Sequence, residues 1–497
     1  MAANAIFGTT DVLGAFTVAS QIPNLIRSLV ADSALGAAFV PVFSELREHD
    51  EEERAWRVAS AVATWILVLL GPLVVLCMVL TPYLVKPFIN EAEIDLQLTI
   101  DLTRIMLPII LLMALSGVVV GVLNSYDHFS SPALAPVAWN AVILIGLIVA
   151  ATVVSTPYQV YVYAIAVTVG TVVQLVLPVP WLRGRGGRLQ WTLLRGDPRI
   201  RQIFLLMLPV TIGLGLINLQ LLIATAFASH VPASTLPGDV TPGAGPAILE
   251  NAFRLYMLPQ GVFSVAVSTV FFPALARYAA RADMDGFRAT FSDGLRQIVV
   301  LLAPASALLI FLAEPIVRLL YEHGKFNEYS TQAVSDVLVM LSLGLVLNGA
   351  SLLLIRAFFS LKKTWVPTAV SILTLAVNVL LVLVFYKPLG VAGIALATSI
   401  VNVVSFGVLF VLLRKAAGRL EGLATLKTTI IAVGASVATA WLGSVVWRAV
   451  DQLLGRDMVG QLCAMAAALG VAYAMYVVII ARLKLIDQRL ITGRFKR

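Results

Sequence analysis

Charge is scarce in this 497-residue chain: only 12% of its residues are Asp, Glu, Lys or Arg, about half the share found in ordinary soluble domains. Cysteine is nearly absent. Cys77 and Cys463 lie far apart inside apolar stretches, which excludes a disulfide framework or a cysteine-ligated metal. The four histidines, His49, His128, His230 and His323, fall in separate loops without metal-ligand spacing. No Gly/Pro/Ser-rich linker marks off a soluble domain, and the longest polar stretches are residues 183–201 and 230–248. Gly213-Leu214-Gly215 and Gly184-Arg185-Gly186-Gly187 follow no strand, so no nucleotide fingerprint is present. The net charge of +8 is spread over many short loops rather than gathered on one face. That excludes a nucleic-acid surface.

What remains is apolar. Hydrophobic residues make up 60% of the chain and the mean hydropathy is +0.94, the composition of an all-α polytopic membrane protein. Stretches long enough to cross the hydrocarbon are predicted at about residues 10–44, 58–83, 101–124, 134–155, 159–182, 203–229, 251–275, 297–319, 333–360, 366–386, 389–413, 428–449 and 460–481. These are thirteen helices. Lys and Arg in alternate loops divide 26 against 6, the larger set including the 482–497 tail. The positive-inside rule therefore predicts a cytoplasmic C-terminus. With thirteen spans Met1 lies outside, and the chain opens without a charged leader. That start predicts one further helix upstream, for fourteen in all.

With Arg318, Arg356 and Arg448, which sit near span ends, counted with the adjoining loops, the tally leaves three cations, Arg27, Arg104 and Arg254, inside spans. A guanidinium at the bilayer centre costs roughly 2.5–3.5 kcal/mol on insertion scales, so an isolated one is a functional candidate. Arg104 follows Asp101 at i+3, where it snorkels outward and pairs. Arg27 has Asp32 at i+5 and Arg254 has Glu250 at i−4. The two belong to a weak internal duplication. Ile22-Pro23-Asn24-Leu25-Ile26-Arg27 followed by Phe39-Val40-Pro41 parallels Phe253-Arg254, Leu258-Pro259 and Phe271-Phe272-Pro273. A second pair of segments leads to Asn140 and to Asn378. The duplication divides the chain into lobes 1–182 and 183–426, with two extra helices and a basic tail at 427–497. It also sets the two arginines on related helices facing each other, where transporters place their sites. Two guanidiniums converging there suit a diphosphate. Asp283-Met284-Asp285 matches a glycosyltransferase D-x-D pattern but has no soluble catalytic domain beside it. Glu314 and Arg318 read as an ordinary i, i+4 pair.

The stretch from Ile22 to Glu45, with Pro23-Asn24-Leu25 before Arg27 and Phe39-Val40-Pro41 after it, resembles the second-helix signature of the MurJ (MviN) lipid II flippases. These belong to the multidrug/oligosaccharidyl-lipid/polysaccharide exporter superfamily. Gly121-Val122-Leu123-Asn124-Ser125-Tyr126, Pro259-Gln260-Gly261-Val262-Phe263 and Tyr321-Glu322-His323-Gly324-Lys325-Phe326 also match, in family order. The resemblance implies a two-lobed, fourteen-helix transporter in the bacterial plasma (inner) membrane, not an enzyme. It would move undecaprenyl-diphosphate-linked peptidoglycan precursor outward by alternating access, serving cell-wall biogenesis and cell shape. The implied partners are lipid II, the bilayer and the cell-wall synthesis machinery. The rival readings are an exporter of another polyprenyl-linked glycan or an amphipathic drug and, in a different class, a membrane glycosyltransferase or phosphatase.

By the same resemblance, Arg27, Arg254, Asp32 and Asn24 bind substrate, and Thr374, Asn378 and Thr398 supply oxygens to a cation site. Three departures stand out. Ser28 replaces a second basic residue, Gly14 stands where relatives commonly carry Asp, and Ala224 stands where a carboxylate or amide accompanies sodium. Without that carboxylate the oxygens lack the charge that favours a cation, and no other cofactor or metal is expected.

Overall fold

The computed structural model describes residues 2–30, 33–185, 187–194, 196–238, 240–418, 420, 422–455 and 457–483. Excluded within these are the side chains of residues 27–30, 33–38, 206, 208–210, 212–214, 217, 242 and 422–424. Its regular structure is helical throughout. The helices are α1 (Ala2–Phe7), α2 (Asp11–Val30), α3 (Ser33–Glu48), α4 (Glu52–Val85), α5 (Leu96–Met106), α6 (Ile109–Ser125), α7 (Ser130–Val153), α8 (Gln159–Val176) and α9 (Pro198–Ala228). They continue with α10 (Gly245–Pro259), α11 (Val265–Ala280), α12 (Met284–Phe311), α13 (Ala313–Tyr321), α14 (Glu328–Ser342), α15 (Leu345–Ser360), α16 (Trp365–Ala417), α17 (Gly422–Leu454) and α18 (Met458–Arg482).

Among the described residues, nine helices are long and apolar enough to cross a membrane, ten when the pair α14 and α15, bent by 45°, counts as one. Leu76, Val79, Ile145 and Val384 lie exposed on their outer faces, as lipid contact requires. The stretch at 10–44, expected as one helix, is helical on both sides of residues 31–32, as α2 and α3, those two residues lying outside the described ones. Its counterpart in the duplication is interrupted by a π-helical turn at Gln260–Ser264 that follows Pro259 and joins α10 to α11. Proline removes an amide donor and crowds the preceding turn, and the π turn is the local relief.

Separate apolar cores define two lobes. One gathers residues of α3, α4 and α6, such as Phe39, Phe43, Trp56 and Val118. Another runs from Ala224 to Ala417 and includes Tyr256, Phe291 and Phe358. Helix α9 belongs to both: Ile203 and Met207 near its start pack in the first core, Ala224 and Ala228 near its end in the second. The polar segment before it behaves likewise. Although a boundary at 183 assigns that segment to the second lobe, its contacts are with the first. Trp56 Nε1 and Tyr126 Oη donate to the Arg185 carbonyl, each at 2.8 Å, and Trp65 Nε1 donates to the Leu193 carbonyl at 2.8 Å. Arg199 closes this strap with 2.8 and 3.1 Å bonds to the Glu45 carboxylate. Helices α17 and α18 pack together through Ala440, Ala468 and Ala472 against Ala307 and Leu308 of α12, small residues that let helices approach in lipid.

One expectation is corrected here. Arg104 does not pair with Asp101: its Nε donates to the Met78 carbonyl at 3.1 Å, while Asp101 accepts from Gln97 Nε2 at 2.9 Å. Pro82 of α4 has no amide to offer the Met78 carbonyl four residues before it, which leaves that oxygen able to accept from Arg104. The Glu314–Arg318 pair forms as expected, at 2.5 Å, with Arg318 only 4% exposed and also 3.6 Å from Glu322.

Candidate functional site

Helix α10 presents two faces, and its sequence dictates which way each turns. Ile248, Leu249, Ala252, Leu255 and Tyr256 enter the second lobe's core, and the Tyr256 hydroxyl accepts from Asn348 Nδ2 at 2.7 Å. Helical spacing then sends Ala247, Glu250, Asn251 and Arg254 to the opposite side. Ala247 joins an apolar cluster of the first lobe with Phe7, Phe16 and Tyr163. The polar face of α10 therefore looks across the junction between lobes.

At that junction Arg254 donates from Nε and Nη2 to Glu250 Oε1, at 3.2 and 2.6 Å. Glu250 Oε2 accepts from Gln21 Nε2 of α2 at 3.4 Å, a bond between lobes. Two tyrosines flank this face of α10: Tyr163 shares the cluster with Ala247, Tyr321 Oη donates to the Asn251 carbonyl at 3.5 Å, and the Tyr163 ring is stacked on Phe16 with centroids 4.1 Å apart. The Arg254 side chain is 60% exposed although its helix lies in a membrane span. Its neighbours come from both lobes, and an arginine inside a span is expected to face the protein interior rather than lipid.

Asn24 lies three residues beyond Gln21 on α2, on the same helical face, and is half-buried. The backbone of Arg27 lies one turn further along, its side chain and all of Asp32 being outside the described residues. Gln21 and Tyr163 were missed by the sequence reading. The signal for Gln21 was present, as a buried amide at Gly14-Thr17-Gln21-Asn24 spacing on one helix face, while nothing near Tyr163 in the chain points to Arg254.

One end of the junction is sealed. Asn4 Nδ2 donates to Asn251 Oδ1 at 3.0 Å, the Lys325 amide donates to the Ala5 carbonyl at 2.9 Å, and the Thr9 and Ser330 hydroxyls are 2.5 Å apart. Ser229 Oγ donates to the Phe88 carbonyl at 3.0 Å. Asn4, Ala5, Thr9, Phe88, Ser229, Lys325 and Ser330 all lie in or beside the loop set poor in Lys and Arg. Gly14 makes the seal possible: a Cβ there would fall 1.9 Å from the Gly243 carbonyl oxygen. An aspartate at this position is incompatible with the closed seal, which gives a physical reason for the departure noted in the sequence.

The proposed cation oxygens fare differently. Asn378 is fully buried and neither atom of its side-chain amide has a partner. The Thr374 and Thr398 hydroxyls donate to the carbonyls of Ser371 and Ile394 in their own helix, at 3.0 and 3.1 Å. Ala224, 7% exposed, offers no oxygen in its side chain. A neutral set with one orphaned amide does not fit a dedicated sodium site. Among the described residues no group of three His, Cys, Asp or Glu is arranged to hold a metal ion. The D-x-D pattern is absorbed structurally: Asp283 caps α12 by accepting from the Gly286 amide at 2.9 Å, and Asp285 pairs with Arg288.

A family model described as lipid II flippase MurJ matches residues 3–479. The chain belongs to the lipid II flippase MurJ family. A Burkholderia cenocepacia lipid II flippase MurJ is 30% identical over 424 residues, covering 82% of this chain and 78% of that protein. A probable lipid II flippase MurJ of Rhizobium meliloti is 30% identical over 461 residues, covering 90% and 82%. Among solved structures, a lipid II flippase MurJ in an inward closed conformation superposes with a TM-score of 0.76 at 22% identity, covering 96% of this chain and 94% of that one. An inward-facing multidrug resistance MATE transporter of the MOP superfamily gives 0.71 at 17%, covering 86% and 95%. The MurJ family consists of transporters, and the two-lobed architecture is the one this superfamily shares. Membership of the family, with its long apolar helices, places the chain in the bacterial inner membrane as a multi-pass protein.

Proposed function

We propose that the chain carries lipid II from the inner to the outer leaflet by holding its diphosphate between the lobes, with Arg254 as the anchor on the second lobe. Arg27, Asn24 and Asp32 complete the site from the first lobe, Asp32 orienting Arg27 or competing with substrate on release. The observation that carries this reading is the position of Arg254. Its planar fork faces the space between lobes at mid-helix, and such a fork gives two parallel bonds to phosphate oxygens. The outer seal supports loading from the cytoplasmic side in this state, with release requiring Asn4, Ala5 and Thr9 to part from Asn251, Lys325 and Ser330. No ion is assigned to Thr374, Asn378 and Thr398, and no step runs through one.

The proposed topology has thirteen crossings in the described chain and a cytoplasmic C-terminus. Helix α16 supports counting two of them in one element: its 53 residues extend about 80 Å, against a hydrocarbon thickness of roughly 30 Å. Its backbone leaves helical geometry at Gly390, φ 60°. The lobes are proposed at 1–182 and 183–426, the strap tethering the second to the first, with 427–497 appended.

The test is complementation in bacteria depleted of their own lipid II flippase. Expression of this chain is expected to restore growth and shape, and Arg254→Ala, weakening diphosphate binding about 10- to 100-fold, is expected not to. Failure of the parent chain despite membrane insertion overturns the reading.

A further inference from the structure

We propose that Glu250 is a displaceable counter-ion, a carboxylate that occupies the Arg254 fork until the diphosphate takes it. This deepens the reading above and rests on Arg254 being the diphosphate anchor. Glu250 does more than stand one turn away on the same helix. Its Oε1 receives both Nε and Nη2 of Arg254, the two-pronged arrangement a phosphate oxygen would claim. Its Oε2 is held by Gln21 from the opposite lobe, which fixes the carboxylate at the junction instead of letting it turn away. An arginine inside a span needs a neutralising partner when substrate is absent, and Glu250 provides it.

The same contact sets a cost on binding. A diphosphate arriving at Arg254 meets a like charge and gains the full fork only as Glu250 withdraws, so the carboxylate lowers affinity and keeps substrate exchangeable. A purely structural partner has the opposite signature, since its removal would leave Arg254 misplaced and binding weaker.

The experiment measures the Kd of undecaprenyl diphosphate for the full, detergent-purified chain and for Glu250→Gln, Glu250→Ala and Arg254→Ala, with folding checked by thermal melting. Glutamine has the shape of glutamate; with its oxygen toward Arg254, its amide nitrogen donates to the oxygen of a flipped Gln21, so the charge goes while both contacts keep a partner. Glu250→Gln is expected to bind about tenfold tighter than the parent, the scale of one charge-assisted hydrogen bond, and Glu250→Ala also tighter. Tighter binding in either folded variant supports the counter-ion role, and unchanged or weaker binding in both overturns it. Arg254→Ala separates this from the underlying reading: if its affinity equals the parent's, Arg254 is not the anchor and both ideas fall. If it binds weakly while the Glu250 variants do not tighten, only the counter-ion role fails.

Discussion

At the scale of single residues, the energetic cost of a cation in lipid singles out Arg254 but not its surroundings. Arg254 was legible because spans tolerate few charges, and Glu250 because it lies four residues earlier on the same helix. Gln21 and Tyr163 come from distant segments, and no local pattern announces which distant group will face a given arginine. Arg104 shows the complementary limit: i, i+3 spacing named a partner, and a carbonyl of the neighbouring helix took the bond instead. The geometry of the Arg254 fork makes a specific prediction. Arg254→Lys keeps the charge but replaces a planar two-pronged donor by a point charge, so it is expected to bind undecaprenyl diphosphate about tenfold more weakly than the parent. Equal binding would mean that charge alone suffices.

At the scale of elements, the helices followed from apolar runs, while the interruption after Pro259 did not. The π turn there falls where a proline permits bending, yet hydropathy is continuous across it. The outer seal depends on α2 approaching the turn before α10 at Gly14. A Thr9→Cys, Ser330→Cys pair is expected to cross-link readily in the parent background, because the native hydroxyls are 2.5 Å apart. Adding Gly14→Asp is expected to abolish most of that cross-link by forcing α2 off the Gly243 carbonyl, and undiminished cross-linking would show that the seal tolerates the side chain.

The strap of residues before α9 carries its own prediction. The hydrogen bond from Arg199 holds the Glu45 carboxyl below its usual range, against a smaller opposing effect of desolvation. A carboxyl depressed in the folded state stabilises it above the unfolded value, near 4.3, and that contribution disappears as pH falls through the folded value. Melting temperature is therefore expected to fall less steeply with acidification below about pH 4.3 in Glu45→Gln than in the parent. Parallel pH profiles would remove Glu45 from the account.

At the scale of the whole molecule, membrane insertion, helical class and two lobes were present in composition, charge distribution and duplication. The conformational state was not, because it is set by contacts between segments hundreds of residues apart, such as Asn4 with Asn251 and Thr9 with Ser330. Nor does the chain divide as cleanly as its repeats suggest, since α9 is shared by both cores and the strap before it is bound to the first lobe. Such sharing gives the lobes a common element about which to rock, in the manner of repeat transporters. The central claim is that the chain moves lipid II across the membrane with Arg254 at the anchor. Its most direct test is the fraction of lipid II accessible from outside in cells depleted of their own flippase. Expression of the parent chain is predicted to raise that fraction to the undepleted level, and equally abundant Arg254→Ala to leave it near the depleted level. No rise with the parent, or an equal rise with both, would contradict the account.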